Sequence, residues 1–107
     1  MTNFISTGST YWISDEEIQI LEKNATNGDK NSAFKLYQYH MFVSLDQDLE
    51  FKWLEIAAKN GHPIAQSNLA DLFFTQGDKE KAIFWAKKAY RNGAKLPDEL
   101  KILININ

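Results

Sequence analysis

The chain is expected to be all-α, a short α/α solenoid of about three antiparallel helix pairs, and three observations predict this. The first is an internal echo. Residues 53–61, WLEIAAKNG, return in altered form as residues 85–93, WAKKAYRNG, displaced by 32 positions, and a weaker copy, ILEKNATNG at 20–28, lies 33 positions upstream. Self-similarity with a period in the thirties marks stacked helical repeats, because one repeat cannot bury its apolar face alone and must stack on the next. The second is apolar residues at three- and four-residue spacing, punctuated by Gly28, Gly61, Gly77 and Gly93. The third is composition. With 44% apolar and 13% aromatic residues and only two prolines in 107 residues, the chain can pack one core and is not disordered.

Each helix follows from local chemistry. The first opens at Ser14 with Glu17 three residues on, a capping box, and carries Ile18, Leu21 and Ala25 on a narrow stripe that stops before Gly28. The second runs from about Lys30 to Val43 with Ala33, Leu36, Tyr37 and His40 on one side. The third begins near Asp46, its stripe being Leu49, Trp53, Ile56 and Ala57, and Gly61 ends it. Pro63 starts the fourth, where a missing N–H costs nothing, and Ala65, Leu69, Leu72 and Phe73 face inward. Asp78 caps the fifth, with Ala82, Trp85, Ala86 and Ala89 on its inner face, before Gly93. A short sixth helix spans about Pro97 to Ile104, with Leu100 and Leu103 inward. The whole chain is one domain, 1–107, with helix pairs over 14–43, 46–75 and 78–104. Phe4, Ile5, Tyr11, Trp12 and Ile13 are too apolar for a free tail, so part of 1–13 is expected to cover one end of the stack, and Gly8 to lie in a turn. Alanines let the helices approach, and Trp53, Phe73 and Trp85 fill the gaps.

Residues 53–94 resemble the Sel-like repeat family, an α/α relative of the tetratricopeptide repeats. The resemblance rests on Trp53, Ala57, Ala58 and Gly61 at one helix end. Ala65, Gln66, Leu69, Ala70 and Phe73 continue it, followed by Lys81, Ala82, Trp85, Ala89 and Gly93. It is weaker over 14–48, where Tyr37 stands at the position of Ala70 and His40 at that of the family's Tyr. The turn at Gly77 is shorter than is usual in the family and closer to a tetratricopeptide turn. The resemblance implies a right-handed superhelix that binds proteins, without catalytic residues or cofactor.

The residues carry little chemistry. No cysteine is present, which excludes disulfides, thiolate metal sites and a thiol nucleophile. His40 and His62 are 22 residues apart with no metal-binding spacing; His62 is expected at the start of the fourth helix and His40 in the core. Asp15, Glu16 and Glu17, like Asp46, Asp48 and Glu50, suit helix N-termini and lack a calcium-loop pattern. No catalytic, cofactor or metal site is expected, and the protein is not expected to be an enzyme.

Net charge is −2, but unevenly placed: eight acids against three lysines leave −5 in residues 1–50, and nine bases against six acids leave +3 in 51–107. The basic group Lys79, Lys81, Lys87, Lys88, Arg91 and Lys95 reads as a solvated helix face suited to an acidic protein. Nucleic acid is not expected, since the whole chain is acidic and no base-stacking aromatic is anticipated among those lysines. No basic-then-apolar leader opens the chain and no stretch has membrane-spanning length, so a cytoplasmic protein without membrane contact is expected. The Asn24-Ala25-Thr26 glycosylation pattern is then fortuitous.

By the resemblance, the second and fourth helices line the concave face. Aligning Gly28 with Gly61 sets Lys35 opposite Asn68, Gln38 opposite Asp71 and Met41 opposite Phe74, all off the core stripe. These six are the candidate partner-binding residues, with Met41 and Phe74 either as apolar anchors or, with Phe34 and Phe42, as members of a small core. The expected function is a non-enzymatic protein–protein interaction module, a monomer or weak homodimer, whose partner is a protein. The alternative is a bacterial immunity protein that binds and neutralises a cognate toxin or effector.

Overall fold

A computed structural model describes residues 10–105 of the chain; Phe4, Ile5 and Gly8 lie outside the described residues. Among the described residues there are six α-helices and no strand. They are α1 (Asp15–Thr26), α2 (Lys30–Tyr39), α3 (Gln47–Lys59), α4 (Pro63–Thr75), α5 (Lys79–Arg91) and α6 (Asp98–Leu103).

The first five helices each begin on a side chain that accepts a free backbone N–H, which is why their starts are legible in the sequence. Ser14 Oγ accepts from Glu17 N at 3.2 Å, and Asp29 from Asn31 N at 3.1 Å. Asp46 accepts from Leu49 N at 3.1 Å, His62 Nδ1 from Ala65 N at 3.2 Å, and Asp78 from Lys81 N at 3.1 Å. The capping box at Ser14 is formed only by half, because the Glu17 carboxylate turns to Lys35 Nζ at 3.5 Å. Asp29 also takes the Ser32 hydroxyl at 2.7 Å, and this bond, first among several, holds its carboxyl below the usual range.

The second helix departs from expectation. Its α-helical run stops at Tyr39, not Val43, and His40–Ser44 continues as one π-helical turn that ends at Leu45 in the left-handed region, φ 58°. The wide turn is held from within by His40 Nδ1 and Ser44 Oγ, 2.7 Å apart. From without, Phe42 stacks on Tyr11 with ring centroids 4.7 Å apart. Beside that stack Ile13 is buried and Trp12 stands 63% exposed.

Connections of three residues fold α2 back on α1, α4 on α3 and α5 on α4, and the principal packing is between helices adjacent in sequence. Two apolar clusters result. The larger joins α1 to α5 around Leu36, Trp53, Leu54, Leu69 and Phe73; the smaller joins α4, α5 and α6 around Ala70, Ala86, Ala89, Leu96 and Leu100. Ala57, Ala65, Ala70, Ala82, Ala86 and Ala89 are wholly buried at the contacts, where their small side chains let helices approach. Phe74, Trp85 and Leu103 pack against both clusters and tie them together.

Candidate functional site

Helix α4 presents two edges of different chemistry. Ala65, Gln66, Leu69, Ala70 and Phe73 are buried. Ile64, Asn68, Asp71 and Thr75, spaced i, i+4, i+7 and i+11, form one stripe on another side. Two hollows flank that stripe. One, of about 730 Å³, lies between α4 and the connection into α6 and is walled by Pro63, Ile64, Ser67, Ala94, Lys95 and Pro97. The other, of about 470 Å³, lies where α2 and α3 meet α4 and is walled by Tyr37, Met41, Glu50, Leu54, Leu72 and Thr75. Asn68 and Asp71 line both. A further hollow of about 350 Å³ shares Glu50, Leu54 and Leu72 with the second, and the two together make a trough between α3 and α4 that reaches Gln47 and Gln76.

The hydrogen bonds around this trough fix its walls. Asn68 Nδ2 donates to Tyr37 Oη at 3.3 Å, tying α4 to α2 across the second hollow. Burial pushes the Tyr37 phenol above its ordinary pKa; the Asn68 bond opposes this and the Glu50 carboxylate adds to it. The phenol therefore keeps its proton at neutral pH. At the mouth of the first hollow His62 caps α4 and stacks on Phe34 with ring centroids 4.1 Å apart. Burial, then the Lys30 charge, hold its imidazole below the usual pKa, which suits an acceptor nitrogen. Behind the trough Gln66 Nε2 donates to Ala58 O at 3.0 Å, while its Oε1 accepts from Asn92 Nδ2 at 2.9 Å. One buried amide thus links the C-terminal ends of α3 and α5 through α4.

Three of the six residues singled out from the sequence come together: Met41, Asn68 and Asp71 line the second hollow. Lys35 is exposed and paired with Glu17 of α1, and Gln38 is half-buried and lines none of the three hollows. Phe74 is half-buried and packs against both apolar clusters. The aligned copies are not equivalent because Tyr37, at the position of Ala70, spans the gap to Asn68. Ile64, Glu50, Leu54 and Lys95 were not singled out for the site. The polar stripe on α4 was the signal available for Ile64, whereas the other three come from other elements.

The basic group needs one correction. Phe84 and Tyr90 stand 53% and 49% exposed among the lysines of α5, so aromatic rings do interleave them. The Lys88 ammonium lies 5.2 Å from the Phe84 ring centroid, a cation–π contact within the helix itself. Among the described residues no three His, Asp or Glu side chains gather in a metal-holding set, and no helix is long and apolar enough to cross a membrane.

No family model matches the chain, and no solved structure matches it. Among curated proteins it is similar to the uncharacterized protein YibG of Escherichia coli (strain K12), with 33% identity over 95 residues. The match covers 82% of this chain and 62% of YibG, so the chain spans less than two thirds of that relative's length.

Proposed function

We propose that this chain is a non-enzymatic protein-binding module, a short Sel-like or tetratricopeptide-like solenoid that acts in the cytoplasm and holds a segment of a partner protein in its concave groove. In this reading 14–43, 46–75 and 78–104 are the helix pairs, and α2, α4 and the approach to α6 form the groove. The observation that carries it is the confluence of hollows along the Ile64, Asn68, Asp71 and Thr75 stripe. An apolar floor with a few fixed polar groups is the usual make-up of a recognition groove. The function needs no cofactor and no metal, and the chain works as a monomer or weak homodimer.

The test is affinity capture from the native cell with wild type and with Asn68→Arg/Asp71→Arg, whose folding is checked by circular dichroism. The groove reading expects a protein retained by wild type and lost by the double variant. Equal retention by both would show that the partner uses another face. A captured toxin, together with rescue of poisoned cells on co-expression, would narrow the adaptor to an immunity protein.

A further inference from the structure

The second hollow has a composition that specifies its occupant more closely than shape does. Its floor is apolar, made by Met41, Leu54 and Leu72, with the ring of the nearly buried Tyr37 at one side. Its rim carries two carboxylates from different helices, Glu50 of α3 and Asp71 of α4. Among the described residues neither is in a salt bridge, although Lys35, Lys59 and Lys81 each pair with an acid elsewhere. No lysine or arginine lines this hollow; Lys95 stands in the neighbouring one, beyond Asp71. A surface that combines an apolar floor with two unmatched negative groups complements a long side chain with a methylene stem and a cationic head.

We infer that the hollow bounded by α2, α3 and α4 receives a lysine or arginine side chain from an extended partner segment. The stem lies on Met41, Leu54 and Leu72, and the head lies between Glu50 and Asp71. The inference rests on the groove reading and adds to it the chemistry of the partner: a segment with one basic residue among apolar ones. Asn68 stands beside the cationic head, and its bond to Tyr37 holds the side of the hollow in place. Lys95, in the adjoining hollow, favours an acidic or carboxylate group further along the same segment. The attraction is between partly solvated charges, so it weakens with salt.

The experiment uses the full chain and three pools of fluorescein-labelled dodecapeptides, identical except at one central position that is arginine, norleucine or glutamate, with flanking positions randomised among apolar and small residues. Fluorescence anisotropy is read at low and at high salt. The arginine pool is expected to bind about tenfold more tightly than the norleucine pool, the scale of a charge-assisted contact, with the advantage shrinking at high salt. Glu50→Gln/Asp71→Asn, isosteric changes at solvent-accessible positions, should erase that advantage, so that the arginine and norleucine pools bind the variant equally. Glu50→Lys, which brings the charge of the rim from −2 to zero, should abolish the arginine preference. If the norleucine and arginine pools bind equally and both are lost in Asn68→Arg, the groove reading stands and the cationic occupant is wrong. If no pool binds, or the arginine preference persists in Glu50→Gln/Asp71→Asn, the inference fails, and in the first of these cases the groove reading fails for such segments too.

Discussion

Gln66 shows how much a single buried side chain can hold. It is 2% exposed, and both ends of its amide are matched, one to the Ala58 carbonyl and one to the Asn92 amide. Gln66→Leu keeps the volume but removes both bonds; the Ala58 carbonyl keeps the Gly61 N–H and Asn92 is exposed, so the cost should be about 1 kcal/mol in urea denaturation. Gln66→Glu should cost more, because an anion would face a carbonyl oxygen in a dry setting. A Gln66→Leu protein as stable as wild type would mean that the two bonds contribute nothing net to folding. The residue was visible in the sequence as part of a family-like motif, but its role was not, since its partners lie 8 and 26 positions away.

The two histidines make a pH prediction. Burial, above all, holds both imidazoles below the usual pKa; at His40 the Asp46 and Glu22 charges oppose this and the Lys52 charge adds to it. A base whose folded pKa lies below its unfolded value binds fewer protons when native. Stability is then complete above the unfolded value near 6.5 and falls as pH drops below it. Protonation also removes the acceptor on His62 Nδ1 that caps α4. Urea midpoints should therefore fall between pH 7 and pH 5, and His62→Asn, which keeps a capping oxygen, should flatten part of that slope. A slope that rises toward acid would contradict the assignment.

At the scale of elements, the Asn-Gly helix ends at 27–28, 60–61 and 92–93 share their backbone angles, but the helices before them pack differently. Trp53 is 3% exposed within the larger cluster, whereas Trp85, its counterpart, is half-buried, because the six-residue α6 covers less of α5 than a full helix would. Trp53→Ala should cost about 3–5 kcal/mol and Trp85→Ala distinctly less; equal losses in thermal or urea melts would contradict that difference. Four helix-ending turns use a glycine at positive φ, among them Gly61 at 98°, but the π-helical turn after α2 ends on Leu45 at 58°. A branched residue there carries strain of about 1–2 kcal/mol. Leu45 is 72% exposed, so Leu45→Gly sacrifices little packing and should raise the urea midpoint slightly; a clear loss of stability would show that Leu45 makes contacts worth more than its strain.

Helix starts were readable because caps are local: Ser14, Asp46 and Asp78 announce them within three residues. The inner stripe of α3 was readable only in part. Leu54 and Ala58 are buried as well as Trp53 and Ala57, while Leu49 and Ile56 are half-buried, because α2 and α4 pack on different sides of this helix and turn its buried face. The π-helical turn was not readable, since it depends on the Phe42–Tyr11 stack and the His40–Ser44 contact together.

For the whole molecule, acidic and basic groups gather at different places, although not by the halves of the chain, since Asp71 belongs to the basic half. Unmatched Glu50 and Asp71 face the trough, and the lysines of α5 with exposed Phe84 form a separate surface. The sequence pointed to α4 as a binding helix and picked Asn68 and Asp71 on it. It did not show that Glu50 and Leu54, from α3, complete the same hollow, because that depends on how α3 packs against α2 and α4.

The central claim is that a partner segment lies along α4 in this trough. The most direct measurement is site-specific photocrosslinking in the native cell, with a photoreactive amino acid placed in turn at position 68, at position 41 and, as a control on α1, at position 20, where Ile20 is 60% exposed. The account predicts one protein adduct of the same mass from positions 41 and 68 and none from position 20. Adducts from position 20 with none from 41 or 68 would contradict it.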